Sequence, residues 1–483
     1  MFQRAAQQRH VKNLATPSAN PRRVLTPRTT ALIVSSALFM EQLDSTVLST
    51  ALPDMARSFS VDPLHMNVAL TAYLLSLAVF IPISGKVADR FGTRPVFSWA
   101  IALFTLGSIL CAQAGSLKLL VAARLLQGMG GAMMVPVGRL VLLRTVAKSE
   151  LVSAMAWLTV PATIGPVIGP PVGGFIVTYL NWRWIFYINV PVGILGFVLV
   201  TLFIADIKER TPGPFDALGF LFSSVALGCV MFGLEFLTRG VGAGPTAWGL
   251  IAVGAVSGLL YWRHSRGMAS PLLDFRLLRI RTFGLSVAAG TFSRISVGAL
   301  PFLLPMMFQL GFGISAAQSG LITFALAGGS LLMKMGARTC LGLWGFRNTL
   351  IWVGLAGTLL TGVCAGFRPS WPIAAIYTVL LLAGFLQSLQ FLGYNTISYA
   401  DIPRERMSSA TSFYTTCQQM ALSLGIAASA GALAGARFIS GHDLPTLSDF
   451  SVAFLVVTCV SLMAPLVCLK FDRNAGAELA GRN

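Results

Sequence analysis

Charged side chains are scarce in this chain: 11% of its 483 residues, with 17 Asp and Glu against 35 Lys and Arg. Soluble domains carry about 25% charged residues, so a globular fold solvated by water is excluded. Histidine is rarer still. The four present (His10, His65, His264 and His442) fall near loops, which argues against a His-based metal or catalytic cluster. The seven cysteines show no CxxC spacing, and most sit in apolar runs. They read as small core residues, neither a disulfide framework nor a metal site. No GxxxxGK[ST] run occurs, so ATP is not expected to be used directly. No clustered His, Asp or Glu marks an active site at a membrane face, and no sizeable polar domain offers a sensor. An enzyme and a soluble signalling module therefore both lack support. No metal or cofactor is expected.

What the chain has in abundance is apolar sequence: 55% of residues are hydrophobic, and the mean hydropathy is +0.75. We read fourteen spans, at about 31–53, 66–88, 96–114, 118–143, 151–180, 184–205, 215–236, 246–262, 283–312, 317–336, 349–366, 372–395, 409–437 and 450–470. Each reaches or approaches the roughly 20 residues that cross a hydrocarbon core. The first 30 residues are polar and the run after them is long enough to span, so no cleavable signal peptide is expected. The fold class is an all-α polytopic membrane protein.

A net charge of +18 would suggest nucleic acid in a soluble protein. Here the bases gather in alternate loops. They precede the first span (Arg4, Arg9, Lys12, Arg22, Arg23, Arg28) and recur after the second (Lys86, Arg90, Arg94) and the fourth (Arg144, Lys148). They appear again after the eighth (Arg263 to Arg281) and the tenth (Arg338, Arg347). Under the positive-inside rule these loops, and both termini, are expected in the cytoplasm; the expected location is the plasma (inner) membrane. The expected partners are the lipid bilayer, protons and a small-molecule substrate, with no nucleic acid, for a chain working as a monomer.

The polar breaks at 206–216 and 263–282 divide the spans into six, two and six. The expected parts are a tail at 1–30, a six-helix bundle at 31–205, a linker with two extra spans at 206–282, a second six-helix bundle at 283–470 and a tail at 471–483. Duplicated halves with a site between them near the midplane are a familiar carrier design. A faint repeat supports it: GKVADRFGTRP after span two is echoed by RTCLGLWGFRN. The copy keeps Gly345 and Arg347 but has Gly342 and Leu343 where the first has Asp89 and Arg90.

Against this apolar background, isolated polar groups stand out. Asp44 lies inside the first span, where a charge costs roughly 2.5–3.5 kcal/mol on insertion scales and so needs a partner or a role. It sits about 20 Å from the inner end and roughly 10 Å from the outer face, while Arg124 of span four lies roughly 9 Å below that face. The depths agree. Apposition to Arg124 favours ionised Asp44, and separation in a dry cavity favours the protonated acid, so a conformational change could load or release a proton. A static ion pair that stabilises the bundle is the alternative. Glu41, one turn before Asp44, would share its face; it is expected to hold a proton, to contact a cationic substrate, or simply to line a polar cavity. Arg294 in span nine could bind an anionic substrate group, pair with Asp44 or Glu41, or be a structural Arg satisfied by carbonyls or Gln. Gln127, Gln387, Gln390, Gln418 and Gln419 could face a substrate or pack between helices.

Four segments carry a family resemblance. GKVADRFGTRP (85–95) and RLLQGMGGA (124–132) resemble major facilitator signatures of the loop after span two and of span four. GPVIGPPVGG (165–174) resembles the fifth-span antiporter signature, and LDSTVLSTALP (43–53) the first-span signature of fourteen-span drug:proton antiporters. The resemblance implies a major facilitator fold and proton-coupled efflux of drug-like amphipathic compounds by alternating access. Transport of a defined metabolite anion is the alternative. It implies a conformational lock at Gly85, Asp89, Arg90, Gly92 and Arg94, with Asp89 capping a helix or accepting from Arg90 or Arg94. It also implies an antiporter helix at Gly165, Gly169, Pro170, Gly173 and Gly174, where glycines permit close packing and prolines bend the helix.

Overall fold

A chain this apolar must satisfy its backbone hydrogen bonds within each segment, and the helix does so. A computed structural model of the chain describes residues 26–60, 67–208, 215–238, 244–268, 271–314, 316–441 and 445–479. Most of the expected N-terminal tail, with His10, His65 and His442, lies outside them.

The helices are α1 (Pro27–Phe59), α2 (Asn67–Phe80, carried by a 3-10 turn into Ser84–Phe91), α3 (Thr93–Gln113), α4 (Leu117–Thr145), α5 (Leu151–Tyr179) and α6 (Asn189–Phe203, after the short Trp184–Tyr187). Two more follow, α7 (Ala217–Thr238) and α8 (Gly244–Gly267). Then come α9 (Arg281–Met306, ending in a π turn at Met307–Gly311), α10 and α11, α12 (Ile373–Ile397), α13 (Met407–Ser440) and α14 (Leu447–Ser461, extended by Met463–Cys468). The described residues contain no strand. Among the described residues, eleven helices are long and apolar enough to cross a membrane, and these include all but α5, α7 and α10; the Ala217–Gly233 part of α7 is a shorter apolar helix.

Spans ten and eleven were expected to be separated by a loop over 337–348. Instead helix runs from Ala316 to Val363 and is broken only at Gly345, with φ 73° and ψ 164°. We call residues 316–344 α10 and 346–363 α11. Gly92 joins α2 to α3 with nearly the same geometry, φ 96° and ψ 149°. A side chain rarely tolerates this region, so glycine is needed at both corners. Each is followed two residues on by an arginine, Arg94 or Arg347. The faint sequence repeat is therefore a repeat of backbone shape.

One buried core runs from Val34, Phe97 and Leu140 of the first six helices to Phe283, Leu350, Tyr394 and Phe413 of the last six. It lies toward the end where the basic loops are. At the opposite end the apolar residues form two separate cores. Leu43, Cys111, Leu120 and Phe186 belong to the first set, and Leu304, Phe308, Phe367 and Phe454 to the second. The two sets thus share packing at the basic-loop end and pack separately at the other.

Both inserted helices were expected at the periphery. Only α8 fits: Trp248, Val256 and Leu259 are exposed. Helix α7 packs against both α2 and α13. The Phe220 ring lies 6.0 Å from that of Phe80, and Gly228 leaves room for Leu75. It therefore covers the line where the first and last six helices meet.

Candidate functional site

The glycines of RLLQGMGGA let α4 approach its neighbours. A Cβ at Gly128 would meet Ser76 at 2.6 Å, and one at Gly131 would meet the Tyr73 hydroxyl at 2.8 Å. This contact with α2 seats the Arg124 guanidinium 4.4 Å from the Tyr73 ring centroid. Its Nη1 donates to Asp44 Oδ2 across 2.6 Å, with the two side chains 0% and 1% exposed. Sequence depth alone suggested this meeting, and the helices make it.

Asp44 is held by more than Arg124. Its Oδ1 accepts Gln127 Nε2 at 3.0 Å and Asn189 Nδ2 at 2.9 Å. Gln127 Oε1 in turn accepts Arg124 Nη1 at 2.7 Å, and Asn189 also donates to Ser108 Oγ at 3.0 Å. A buried ion pair offsets its desolvation only when further hydrogen bonds support it; the two amides fill the positions of Asp44 Oδ1, while Arg124 Nη2 is left without a partner. Gln127, considered above as a possible cavity residue, belongs to this cluster. Glu41, on the same helix face one turn earlier, is 8% exposed. Its Oε2 has no hydrogen-bond partner, and no ion pair engages it among the described residues.

At the basic-loop end α2 meets α13. A Cβ on Gly85 would stand 2.6 Å from both the Ser408 carbonyl oxygen and Ser412 Oγ. Glycine there lets the Gly85 amide donate to Ser412 Oγ at 2.9 Å, and Ser84 Oγ lies 3.1 Å from the same oxygen. Asp89 was expected to accept from Arg90 or Arg94. It instead accepts Arg144 Nη2 of α4 at 2.8 Å and the Ser408 hydroxyl of α13. Arg90, one residue on, leaves the helix about 100° further round; it is exposed and lies near Phe91. Gly92 forms the corner described above, tight against Asp206, and Arg94 is half-buried. The lock residues thus divide between a contact across the halves (Gly85, Asp89) and a turn flanked by exposed Arg90 and half-buried Arg94.

Arg294 does not pair with Asp44 or Glu41. Its Nη2 donates to the Tyr414 hydroxyl at 2.7 Å, while the Asp44 oxygens are occupied by donors from α4 and α6. Gln390 accepts from Ser293 at 2.7 Å and donates to the Val353 carbonyl at 3.1 Å. Gln387 Nε2 reaches Thr361 Oγ1 at 3.4 Å. Gln418 is half-buried, its Oε1 lacking a partner. The glutamines of α12 therefore serve helix contacts, and Gln418 has unfilled capacity.

Residues 34–426 match the family model described as Major Facilitator Superfamily. The chain belongs to the major facilitator superfamily. Relatives named "Putative multidrug resistance protein MdtD" include one from Escherichia coli (strain K12), 39% identical over 454 residues, covering 93% of this chain and 95% of that one. Another, from Klebsiella pneumoniae, is 37% identical over 445 residues, covering 91% and 93%. Among solved structures, the human organic anion transporter MFSD10 matches with TM-score 0.64 at 15% identity, over 92% of this chain and all of that one. The proton:xylose symporter XylE matches with TM-score 0.64 at 15% identity, over 93% and 96%. At that identity the structural likeness speaks to the fold.

As a major facilitator protein the chain is a multi-pass membrane transporter for small molecules, not an enzyme. The fifth-span segment packs closely on α1. A Cβ on Gly165 would lie 2.9 Å from Gln42 Cβ, and one on Gly169 would run into Thr46, so α5 lies directly on α1 beside Glu41 and Asp44. Gly173 is buried on the same helix. Helix continues unbroken from Leu151 to Tyr179 and includes Pro170 and Gly174, whose surroundings lie outside what is described. Sequence reading missed Asn189, Ser108 and Arg139. A lone Asn opening the apolar run NVPVGILGF was the available signal for the first; for Arg139 it was a base inside span four, close to its inner end.

Proposed function

We propose that this protein is a proton-coupled exporter of amphipathic small molecules, working by alternating access between residues 31–205 and 283–470. In this reading fourteen helices cross the inner membrane, both termini are cytoplasmic, and the basic-loop end is the inner face. The names of the curated relatives favour drug-like substrates. The observation that carries the coupling is the contrast between two carboxyl groups on one face of α1. Asp44 is surrounded by three donor side chains, Arg124, Gln127 and Asn189. Glu41 is also buried, 8% exposed against 2% for Asp44, and has none. An unpaired ion in such surroundings is strongly disfavoured, so Glu41 is neutral while the site is closed. Asp44 then acts as the fixed anion that keeps Arg124 in place, and Glu41 carries the exchangeable proton.

The shared core and lock at the basic-loop end, with separate cores opposite, support a conformation closed inward. Opening inward would break the contacts of Gly85 and Asp89 with α13 and rearrange α1 against α5, changing what Glu41 meets.

The test is transport by purified protein in proteoliposomes with an imposed pH gradient. Wild type is expected to accumulate an amphipathic dye in a gradient-dependent manner, and Asp44→Asn and Arg124→Ala to lose that dependence. Equal accumulation by all three, with unchanged pH dependence, would sink the coupling assignment.

A further inference from the structure

Two arginines at the junction of the halves remain unused by this mechanism. Arg139, on α4, is 5% exposed, and Arg294, on α9, is 3% exposed. They come from opposite halves and approach the same side chain. The Arg139 guanidinium carbon lies 5.8 Å from the Tyr414 ring centroid, and that of Arg294 lies 5.0 Å from it. Neither forms an ion pair among the described residues. Asp89, an acid of the same interface, is engaged by Arg144 and Ser408.

Their hydrogen bonds are few and neutral. Arg139 Nη1 reaches Tyr399 Oη at 3.5 Å and Thr415 Oγ1 at 3.4 Å, both at the limit of hydrogen bonding. Arg294 donates to the Tyr414 hydroxyl, and its buried Nε has no partner at all. Gly290, one turn earlier, supplies the room: a Cβ there would collide with Arg294 Nη1. A guanidinium offers five donors in a planar fork suited to a carboxylate or phosphate, and here most of that capacity is unfilled. Two enclosed positive charges without a counter-ion are costly, and a structural role alone would be served better by an acid or an apolar pair.

Position gives the arrangement a direction. Arg139 lies about two turns from the basic-loop end of α4, and Tyr414 a similar distance into α13. The bonds from Arg139 to Tyr399 and Thr415 cross between the halves, on the side where they are now packed together. Parting of the halves there would take those weak partners from Arg139.

We propose that Arg139 and Arg294 form a capture site for the anionic group (carboxylate, sulfonate or phosphate) of an amphipathic substrate entering from the basic-loop side. The tyrosines and Thr415 hold the guanidinium groups in the closed form, and the anion replaces them in the open one. The inference rests on the export reading and narrows its substrate class. A phosphate-bearing lipid headgroup shares the chemistry, so the source must be distinguished by experiment.

The test is binding, without a pH gradient, to protein in phosphatidylcholine nanodiscs. The probes are 2-naphthoate, naphthalene-2-sulfonate and 2-naphthyl phosphate, with 2-naphthyltrimethylammonium as the cationic control, measured by calorimetry. Wild type is expected to bind at least one anion at least tenfold more tightly than the cation. Arg139→Gln and Arg294→Gln should each weaken anion binding at least tenfold, with Arg→Lys restoring part of it. Tyr414→Phe removes a competing hydroxyl and no charge, so it should bind the anions at least as tightly as wild type. Loss of probe binding in nanodiscs containing phosphatidylglycerol, with the same arginine dependence for the lipid, would assign the site to a headgroup and still support it. Preference for the cation, absence of anion binding, or unchanged binding in both Gln variants would overturn the proposal. Because no gradient is applied, a failure of proton coupling leaves this result readable, and pH-driven export of a cation with no anion binding would reject the capture site alone.

Discussion

Asn189 Nδ2 stands 2.9 Å from Asp44 Oδ1 and ties that carboxylate, from α1, to the start of α6. The same nitrogen reaches Ser108 on α3, so one amide links three helices around the buried charge. Hydrogen bonds to charged groups contribute about 1.5–3 kcal/mol, and a buried acceptor that loses one keeps its full desolvation cost. Asn189→Ala should therefore destabilise the purified protein by about 1–3 kcal/mol. Thermal unfolding in detergent measures this, and an unchanged midpoint would mean that the amide is not needed to hold Asp44.

Removing one member of the ion pair should be worse than removing both charges. Arg124→Gln leaves Asp44 enclosed without its counter-ion, a situation that typically costs about 3–5 kcal/mol. Asp44→Asn combined with Arg124→Gln replaces the pair by neutral amides. The double variant should unfold at a higher temperature than Arg124→Gln alone while remaining uncoupled. Additive destabilisation would indicate that the two residues do not form one unit.

Ser84 and Ser412 place their hydroxyl oxygens 3.1 Å apart across the two halves. Cysteines at both positions should cross-link under mild oxidation, stop transport, and recover when a reductant is added. In the same contact, Gly85→Val should block close approach of α2 to α13, so that cysteines at 84 and 412 no longer cross-link efficiently. Equal cross-linking with valine present would show that α2 can retreat without opening the interface.

Asp216 caps α7 through the Gly219 amide at 2.8 Å and lies 2.7 Å from His264 Nε2 of α8. Loss of a helix N-cap generally costs about 1 kcal/mol. Asp216→Ala should lower the unfolding temperature and, because α7 rests on both α2 and α13, also slow transport. Full transport by a correctly folded Asp216→Ala protein would return α7 to a peripheral role.

The helices were legible because period and length in an apolar chain leave few alternatives, and the Asp44–Arg124 meeting followed from matched depth. Three features were not legible for identifiable reasons. The partner of Asp89 depends on which face of α2 turns toward α4, and adjacency in sequence pointed to Arg90 or Arg94 instead of Arg144. The loop expected near 337–348 is absent because one glycine in an unusual backbone conformation turns the chain there. The setting of Arg139 gave no signal in the sequence, since its neighbours Tyr399, Thr415 and Tyr414 come from the distant segment that follows α12 and from α13.

The central claim is that Glu41 carries the exchanged proton while Asp44 remains a fixed anion. Proteoliposomes carrying Glu41→Gln test it by two assays on one preparation: dye exchange at equal pH, and dye accumulation driven by a pH gradient. The account predicts that exchange survives within about threefold of wild type, since a neutral amide mimics the protonated acid, while gradient-driven accumulation is lost. Accumulation at the wild-type rate and with the wild-type pH dependence would contradict it.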